Sequence, residues 1–397
     1  MTAAGARAAE ALPITYVLPI RRLDTRDGDE LTAYLRWLAA RVEVIVVDGS
    51  PPRVFAHHHR LWAELVRHLP PEPGLRGRNG KVLGVLTGVP AASHEDVVIA
   101  DDDVRYDEHG LRAVRLLLRR ADLVRPQNYF DPLPWHACWD TGRILLNRAV
   151  GADFPGTLAV RRSVFLAMGG YDPDVLFENL ELIRTVRAHG GTVATEAGLY
   201  VRRLPPTTRH FCSQRTRQAY DELARPVRLL AALLVLPGCV AAVVSRRPAL
   251  LATGAAVVVA LAETGRRRAG GTAVFPPATA WTAPLWLLER GVCSWFAVSQ
   301  ALCRGGVRYA GGRLGRAANS TRALRRRLAQ PRPTARWRQA DSAGAACRSR
   351  AHPATSSPSP PAVPRCSTCS PDRSSTAGPP PAPPSTGPSR RAWRTGC

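Results

Sequence analysis

Lysine is almost missing from this 397-residue chain: Lys81 is the single lysine among 55 basic residues. Because alanine, proline and glycine abound, this looks like GC-rich coding bias as much as selection, and arginine density alone does not argue for nucleic acid. A disulfide framework is missing too. Of nine cysteines, five scatter through residues 138–303 and four fall in the C-terminal tail. Cys366 and Cys369 form a CxxC with no second pair at zinc-site spacing, so a reduced, cytoplasm-facing protein is the simpler reading. The N-terminus lacks the long apolar run of a signal peptide. Its apolar stretch, Ile14 to Ile20, is strand-sized, and synthesis is expected to begin in the cytosol. Acid is in deficit, giving a formal net charge of +24, which would suit polyanionic partners. That signal is diluted by location, since Thr321 to Cys397 alone holds 14 Arg and 2 Asp.

What is present alternates. Residues 14–20 (ITYVLPI), 42–47 (VEVIVV) and 97–100 (VVIA) are short β-branched runs, separated by helix-like stretches such as DELTAYLRWLAARV and RLWAELVRHL. The pattern predicts βαβ units and a mainly parallel, buried sheet. Each run ends in chemistry: Pro19-Ile20-Arg21, then Asp48 in VDGSPP, then Asp101-Asp102-Asp103. Ligands of open α/β sheets bind beyond the carboxyl ends of the strands, so the three ends point to one site. Before the third run, Gly80 and Lys81 open a helix-like segment whose Gly84 and Gly88 recur at i, i+4. Small residues at that spacing allow either close packing or close approach of a ligand.

From Arg228 the texture changes. Residues 229–245 and 249–262 are uncharged, the first near the short limit of a membrane span and the second below it. A tight membrane hairpin is expected, against the alternative of a buried helical hairpin. Residues 281–303 are apolar with three tryptophans, although Glu289 and Arg290 argue against a simple span. After about residue 330 the chain is Pro, Ser, Thr, Ala and Arg without apolar periodicity, which predicts disorder. Its composition also resembles a GC-rich gene read out of frame. The expected division is a catalytic domain over 1–225, a membrane-associated helical region over 226–325 and a disordered tail over 326–397.

Three adjacent aspartates repel one another unless cations offset them. Mg²⁺ takes one or two carboxylates plus phosphate oxygens, and Mn²⁺ accepts the same hard ligands. Asp101 and Asp103, spaced i, i+2, suit a ribose and a metal. The alternative is a solvated acidic loop that caps the helix-like EHGLRAVRLLLRR. Asp48 is able to accept hydrogen bonds from a base or ribose, while Lys81 and Arg21 are able to neutralise phosphates.

The arrangement resembles family 2 glycosyltransferases of the GT-A fold. The resemblance rests on YVLPIRR, VIVVDGSPP, GRNGKVLGVLTGV and VVIADDDVRYD, the last carrying a DXD motif. FPGTLAVRRSVFLAMGGYDPDVLFENLELIRTVRAHGG looks like that family's acceptor loop, its Gly-Gly-aromatic-Asp turn and the Glu-Asp motif opening a helix. SQRTRQAYDE is similar to the Q-x-x-R-W motif of membrane-bound members, with Gln214 and Arg217 in place. The resemblance implies an inverting transfer from a nucleotide-diphosphate sugar, UDP being the commonest base, with Mg²⁺ or Mn²⁺. It implies Pro19, Arg21, Asp48, Lys81, Asp101, Asp102, Gln214, Arg215 and Arg217 as donor-binding residues, with Asp101 and Asp103 on the metal.

Two positions depart from the family pattern. Asn179 stands where an Asp is usual, and an amide cannot act as a carboxylate base. Glu178 and Glu181 become the candidates, with favourable placement near a helix N-terminus as the alternative reason for both. Gln218 replaces the motif's tryptophan. An aromatic stretch over 125–150 offers His136 and Asp140 as lining for an acceptor site, or simply as packing. A catalytic domain followed at once by apolar hairpins suits a lipid or glycan acceptor at the cell membrane, with the catalytic domain on the cytoplasmic side. A nucleic-acid partner is not expected, because the arginine-dense region is low-complexity and the folded part is punctuated by acid. A non-catalytic scaffold that keeps the fold is the competing reading.

Overall fold

A computed structural model of the chain describes residues 11–25, 28–309 and 312–330. The expected tail, the CxxC and the out-of-frame reading lie outside the described residues, except that the first residues of the tail are helical.

The first half alternates as its sequence pattern requires: β1 (Ile14–Ile20), α1 (Asp29–Ala39), β2 (Glu43–Asp48), α2 (Pro52–Trp62), β3 (Arg67–Leu69), α3 (Gly80–Ala91) and β4 (Asp96–Ala100). Then come β5 (Val104–Arg105), α4 (Glu108–Leu118), β6 (Leu123–Phe130), α5 (Trp135–Val150), β7 (Thr157–Arg161), α6 (Arg162–Ala167), α7 (Glu178–Ala188) and β8 (Val193–Arg203). The strands form one sheet in the order β3-β2-β1-β4-β7-β6-β8-β5. β1 to β4 pair in parallel and β6 pairs in parallel with β8, while β7 and β5 run against their neighbours. The α/β, mainly parallel architecture expected from the sequence is therefore present. Strand order reverses between β1 and β4, which opens a crevice beyond their carboxyl ends.

Alternation along each strand feeds two cores. Tyr16, Leu18, Val44, Val46 and Val98 face α1 and α4, whereas Val17, Ile45, Val47, Val97 and Ile99 face α3 and α6. On that second face Gly84 and Gly88 let α3 lie against the sheet: a Cβ on Gly84 would stand 2.6 Å from Pro19 Cβ, and one on Gly88 2.5 Å from Val17 Cγ1. The glycine pair thus serves packing. The stretch RLWAELVRHL is not one helix. It holds the end of α2 and then β3, whose register is set by pairing with β2.

The chain continues with α8 (Thr208–Tyr220), a short 3₁₀ turn over Asp221–Ala224, α9 (Pro226–Val244), α10 (Pro248–Arg267), α11 (Ala278–Trp281) and α12 (Ala283–Arg304). A hairpin of β9 (Val307–Tyr309) and β10 (Gly312–Leu314) follows, then α13 (Thr321–Ala329). The tail boundary expected at residue 326 therefore moves, because α13 runs to Ala329 with Leu324 buried. Pro226–Val244 and Pro248–Ala273 are long and apolar enough to cross a membrane by length and composition. Their outer faces are open, with Val227, Leu230 and Val244 at 81%, 59% and 77% exposure. α10 meets α5 backbone to backbone, since a Cβ on Gly265 would fall 1.9 Å from Leu145 O.

Candidate active site

The DXD segment leaves β4 in a hydrogen-bonded turn. Asp101 N–H donates to Gly156 O at 2.8 Å and Val104 N–H to Asp101 O at 3.1 Å. β7 begins close against it, and a side chain at Gly156 would put Cβ 2.8 Å from Asp101 Oδ2. Each aspartate meets its own cation. Asp101 Oδ1 lies 2.5 Å from Lys81 Nζ, Asp102 Oδ2 3.2 Å from Arg22 Nη2, and Asp103 Oδ2 2.9 Å from Arg203 Nε. Burial pushes the Asp103 carboxyl up to about 6; Arg203 opposes the shift, and Asp101 and Asp102 add to it. Its Oδ1 is buried without a hydrogen-bond partner among the described residues. A carboxylate pair with one oxygen left over, at a strand end, is a donor set that fits Mg²⁺ or Mn²⁺.

Lys81 ties this turn to α7. Asn79 caps α3, accepting from Lys81 N and Val82 N, and so sets the lysine in the first helical turn. Its ammonium bridges Asp101 and, at 2.9 Å, Glu178 Oε1 at the start of α7. Burial opposes the charge, but Asp101 and Glu178 overcome it and raise the lysine above its ordinary value. Of the two base candidates only Glu178 faces the crevice. Glu181 is fully buried and accepts hydrogen bonds from Asn319 N and Nδ2, both at 2.7 Å. Asn179 Nδ2 donates to Pro155 O at 2.8 Å, a contact that a carboxylate in its place would make repulsive.

Other expected residues lie elsewhere. Asp48 is 1% exposed, with Oδ2 2.6 Å from His58 Nδ1 and 3.2 Å from His68 Nε2 and Oδ1 accepting from Ser50 N at 2.9 Å. Burial pushes its carboxyl up, yet the bonds from His68, Ser50 and His58 prevail and hold it at about 2. Its side chain is thus committed inside the protein rather than to the crevice. Pro19 is buried under Gly84, while Arg21 is exposed just past β1. Arg215 points away from the DXD turn, bonded to Asp140 Oδ1 at 2.9 Å and Glu289 Oε1 at 3.0 Å. This pairing locks α8 to α5 and α12. His136 is likewise internal, its Nε2 2.7 Å from Pro206 O. So Asp140 and His136 fasten the helices instead of lining an acceptor site. Gln214 pairs with Arg217, whose guanidinium turns towards the crevice and stands 5.6 Å from the Tyr309 ring.

The crevice deepens into a cavity of about 170 Å³ whose wall includes Asp101, Glu178, Asn179, Arg217, Asp221 and Arg290. Most of its charged groups were not predicted as site residues, Arg203, Asp221 and Arg290 among them. Arg203, at the end of β8, clamps Asp103 and lies 3.6 Å from Asp101; its signal was the basic pair that ends YVRR. Asp221, in the 3₁₀ turn after α8, is half-buried with its Oδ1 enclosed, and Arg290 is buried on α12.

No protein-family model matches the sequence, and neither does any curated protein. Solved structures do. One is a mannosyltransferase from Pyrobaculum calidifontis in complex with GDP-mannose and Mn²⁺, 19% identical with a TM-score of 0.48 over 73% of this chain and 88% of that one. Another is glucosyl-3-phosphoglycerate synthase from Mycobacterium tuberculosis with Mn²⁺, UDP and phosphoglyceric acid, 19% identical with a TM-score of 0.35 over 50% and 72%. A third is S. aureus TarS 1-349 with UDP-GlcNAc, 13% identical with a TM-score of 0.36 over 50% and 60%. All three hold a nucleotide or nucleotide sugar, and two of them hold Mn²⁺ as well.

Proposed function

We propose that this chain is an inverting, divalent-metal-dependent glycosyltransferase that moves a sugar from a nucleotide-diphosphate donor to an acceptor presented at a membrane surface. The observation that carries the reading is convergence. Asp101 from the end of β4 meets Glu178 from α7 around the Lys81 ammonium, and Arg203 holds Asp103 beside Asp101, in a crevice at the strand-order reversal of a mainly parallel sheet. Asp101 and Asp103 would hold Mg²⁺ or Mn²⁺, which supplies Lewis-acid stabilisation of the departing diphosphate. Arg217 and Arg203 add guanidinium charge on the same side. Glu178 is the carboxylate placed to take a proton from an acceptor hydroxyl. The open apolar faces of α9 and α10 favour membrane association, with the acceptor entering from that side.

The deciding experiment is calorimetric titration of the full chain in detergent with UDP-, GDP- and TDP-sugars, each with Mn²⁺, Mg²⁺ or chelator. Metal-dependent binding of one donor, lost in Asp103→Ala, is the expected result. A folded protein that binds none of them would instead support the non-catalytic scaffold, which Asn179 favours.

A further inference from the structure

Six arginines stand in the wall of the cavity below Asp101 and Glu178: Arg143, Arg203, Arg217, Arg225, Arg228 and Arg290. Most are engaged. Arg203 holds Asp103, Arg143 holds Asp153 at 2.5 Å, Arg217 bonds Gln214, and Arg225 and Arg228 share Glu222 at 2.9 and 3.5 Å. Arg290 differs. It is 2% exposed, and its Nε and Nη1 meet no hydrogen-bond partner among the described residues. Its guanidinium lies 5.0 Å from the Trp286 ring, and the carboxylates of Glu222, Glu289 and Asp140 act on it only from beyond ion-pair distance. A buried, unpaired guanidinium costs several kcal/mol, so this one is suited to an incoming anion.

Two further observations point the same way. Trp286 Nε1 and Ser294 Oγ, one helical turn before and one after Arg290, are also buried without partners. Residues at i, i+4 and i+8 share a face of α12, and of these three Arg290 is the one that reaches the cavity wall. Asn179 lies in the same wall. Where the resembled motif has a carboxylate, the amide spares the cavity a negative charge that would repel an anion.

We infer that this cavity binds the phosphate of a phosphomonoester acceptor, so that the acceptor is an anion rather than a neutral lipid alcohol. The inference rests on the glycosyltransferase reading above and specifies its substrate class. Guanidinium forks match phosphate oxygens two at a time, and a phosphomonoester carries about −1.5 to −2 near neutral pH. Arg290 and Arg228 belong to α12 and α9, whose outer faces are apolar, so a lipid phosphate has a route to the site. A soluble phosphorylated acceptor offers the same chemistry.

The test uses the full chain saturated with Mn²⁺ and the nucleoside diphosphate it binds best. A soluble arm titrates glycerol 3-phosphate by calorimetry. A lipid arm measures the thermal shift of the chain in phosphatidylcholine nanodiscs with and without phosphatidic acid. At least one arm should respond, and Arg290→Gln should weaken that response roughly 10- to 100-fold, the loss of a charged hydrogen bond. Nucleotide affinity should stay within about threefold. Arg290→Lys should recover part of the response, and Arg228→Gln, a substitution nearer the surface, should weaken it without touching the buried stripe. A response to both probes assigns a soluble phosphomonoester, and a response in the lipid arm alone assigns a lipid phosphate. The inference is overturned if the wild type binds nucleotide but neither probe. It is equally overturned if Arg290→Gln weakens nucleotide as much as phosphate, which would give the cavity to the donor. Phosphate binding without any nucleotide binding would strike the glycosyltransferase reading and leave the anion site standing.

Discussion

Asp221 offers the sharpest check on the electrostatics of the cavity. Burial pushes its carboxyl up to about 7 from an ordinary 3.8; nearby Arg217 works against the shift and Glu178 adds to it. Its Oδ1 is buried with no hydrogen-bond partner among the described residues. A rise of about 3 pKa units corresponds to about 4 kcal/mol at roughly 1.4 kcal/mol per unit. The folded carboxyl keeps its proton to higher pH than the unfolded one, so the folded state binds more protons between pH 3.8 and about 7. Stability contributed by this group therefore falls as pH rises through that window and is flat above it. Asp221→Asn removes the titration while keeping the shape. Relative to wild type it should be near neutral at about pH 3.5 and more stable by about 4 kcal/mol at about pH 8. At roughly 2 °C per kcal/mol for a body of this size, Tm should rise by several degrees at the higher pH only. Differential scanning fluorimetry of both proteins across that range reads the difference directly. A gap that stays constant with pH would refute the protonated, buried carboxyl. A variant less stable at about pH 8 would show that Arg217 and Arg225 depend on the Asp221 charge.

Three further outcomes follow from the same contacts. Glu178→Gln keeps the shape but loses the proton acceptor, so turnover with the correct acceptor should fall about 10²- to 10⁴-fold while donor affinity measured by calorimetry changes little. Glu181→Gln should do the reverse, costing about 1–3 kcal/mol in chemical denaturation through the Asn319 contacts and leaving turnover intact. Arg215→Met should lower stability by about 3 kcal/mol, because buried Asp140 would lose its cation while half-buried Glu289 keeps its bond from Trp139 Nε1.

Much of the sheet was legible because local pattern and tertiary role coincide. Runs 14–20, 42–47 and 97–100 became strands Ile14–Ile20, Glu43–Asp48 and Asp96–Ala100. β3 was read as helix because Leu61, Leu65 and Leu69 recur at helical spacing, and only pairing with β2 makes the last of them a strand residue. β8 was not anticipated because it is half-buried and mixed, VATEAGLYVRR, and takes its place from β6. In the site, Asp101, Asp103 and Lys81 were visible because each sits next to an element whose end the sequence marks. Arg203 was not, since the aspartate it clamps is 100 residues away. Asp48 occupies the right strand end but turns inward. His58 and His68 decide that orientation, and composition carries no such information. The choice between Glu178 and Glu181 belonged to Asn319, 138 residues beyond Glu181.

The lone lysine now gains a meaning that composition could not supply. Arginine supplies every other basic side chain of Lys/Arg type, and the one ammonium stands at the point shared by Asp101 and Glu178. Two carboxylates from different elements, reached at 2.5 and 2.9 Å by a single nitrogen, need a compact charge that donates in several directions. A guanidinium is planar and presents its donors as a fork, which suits one carboxylate taken bidentately better than two that converge on a point. Around this point Arg22 holds Asp102 and Arg143 holds Asp153, while Arg203 spreads its fork over Asp103 at 2.9 Å and Asp101 at 3.6 Å. Among the described residues it is Lys81 that joins Asp101, at the end of β4, to Glu178 at the start of α7.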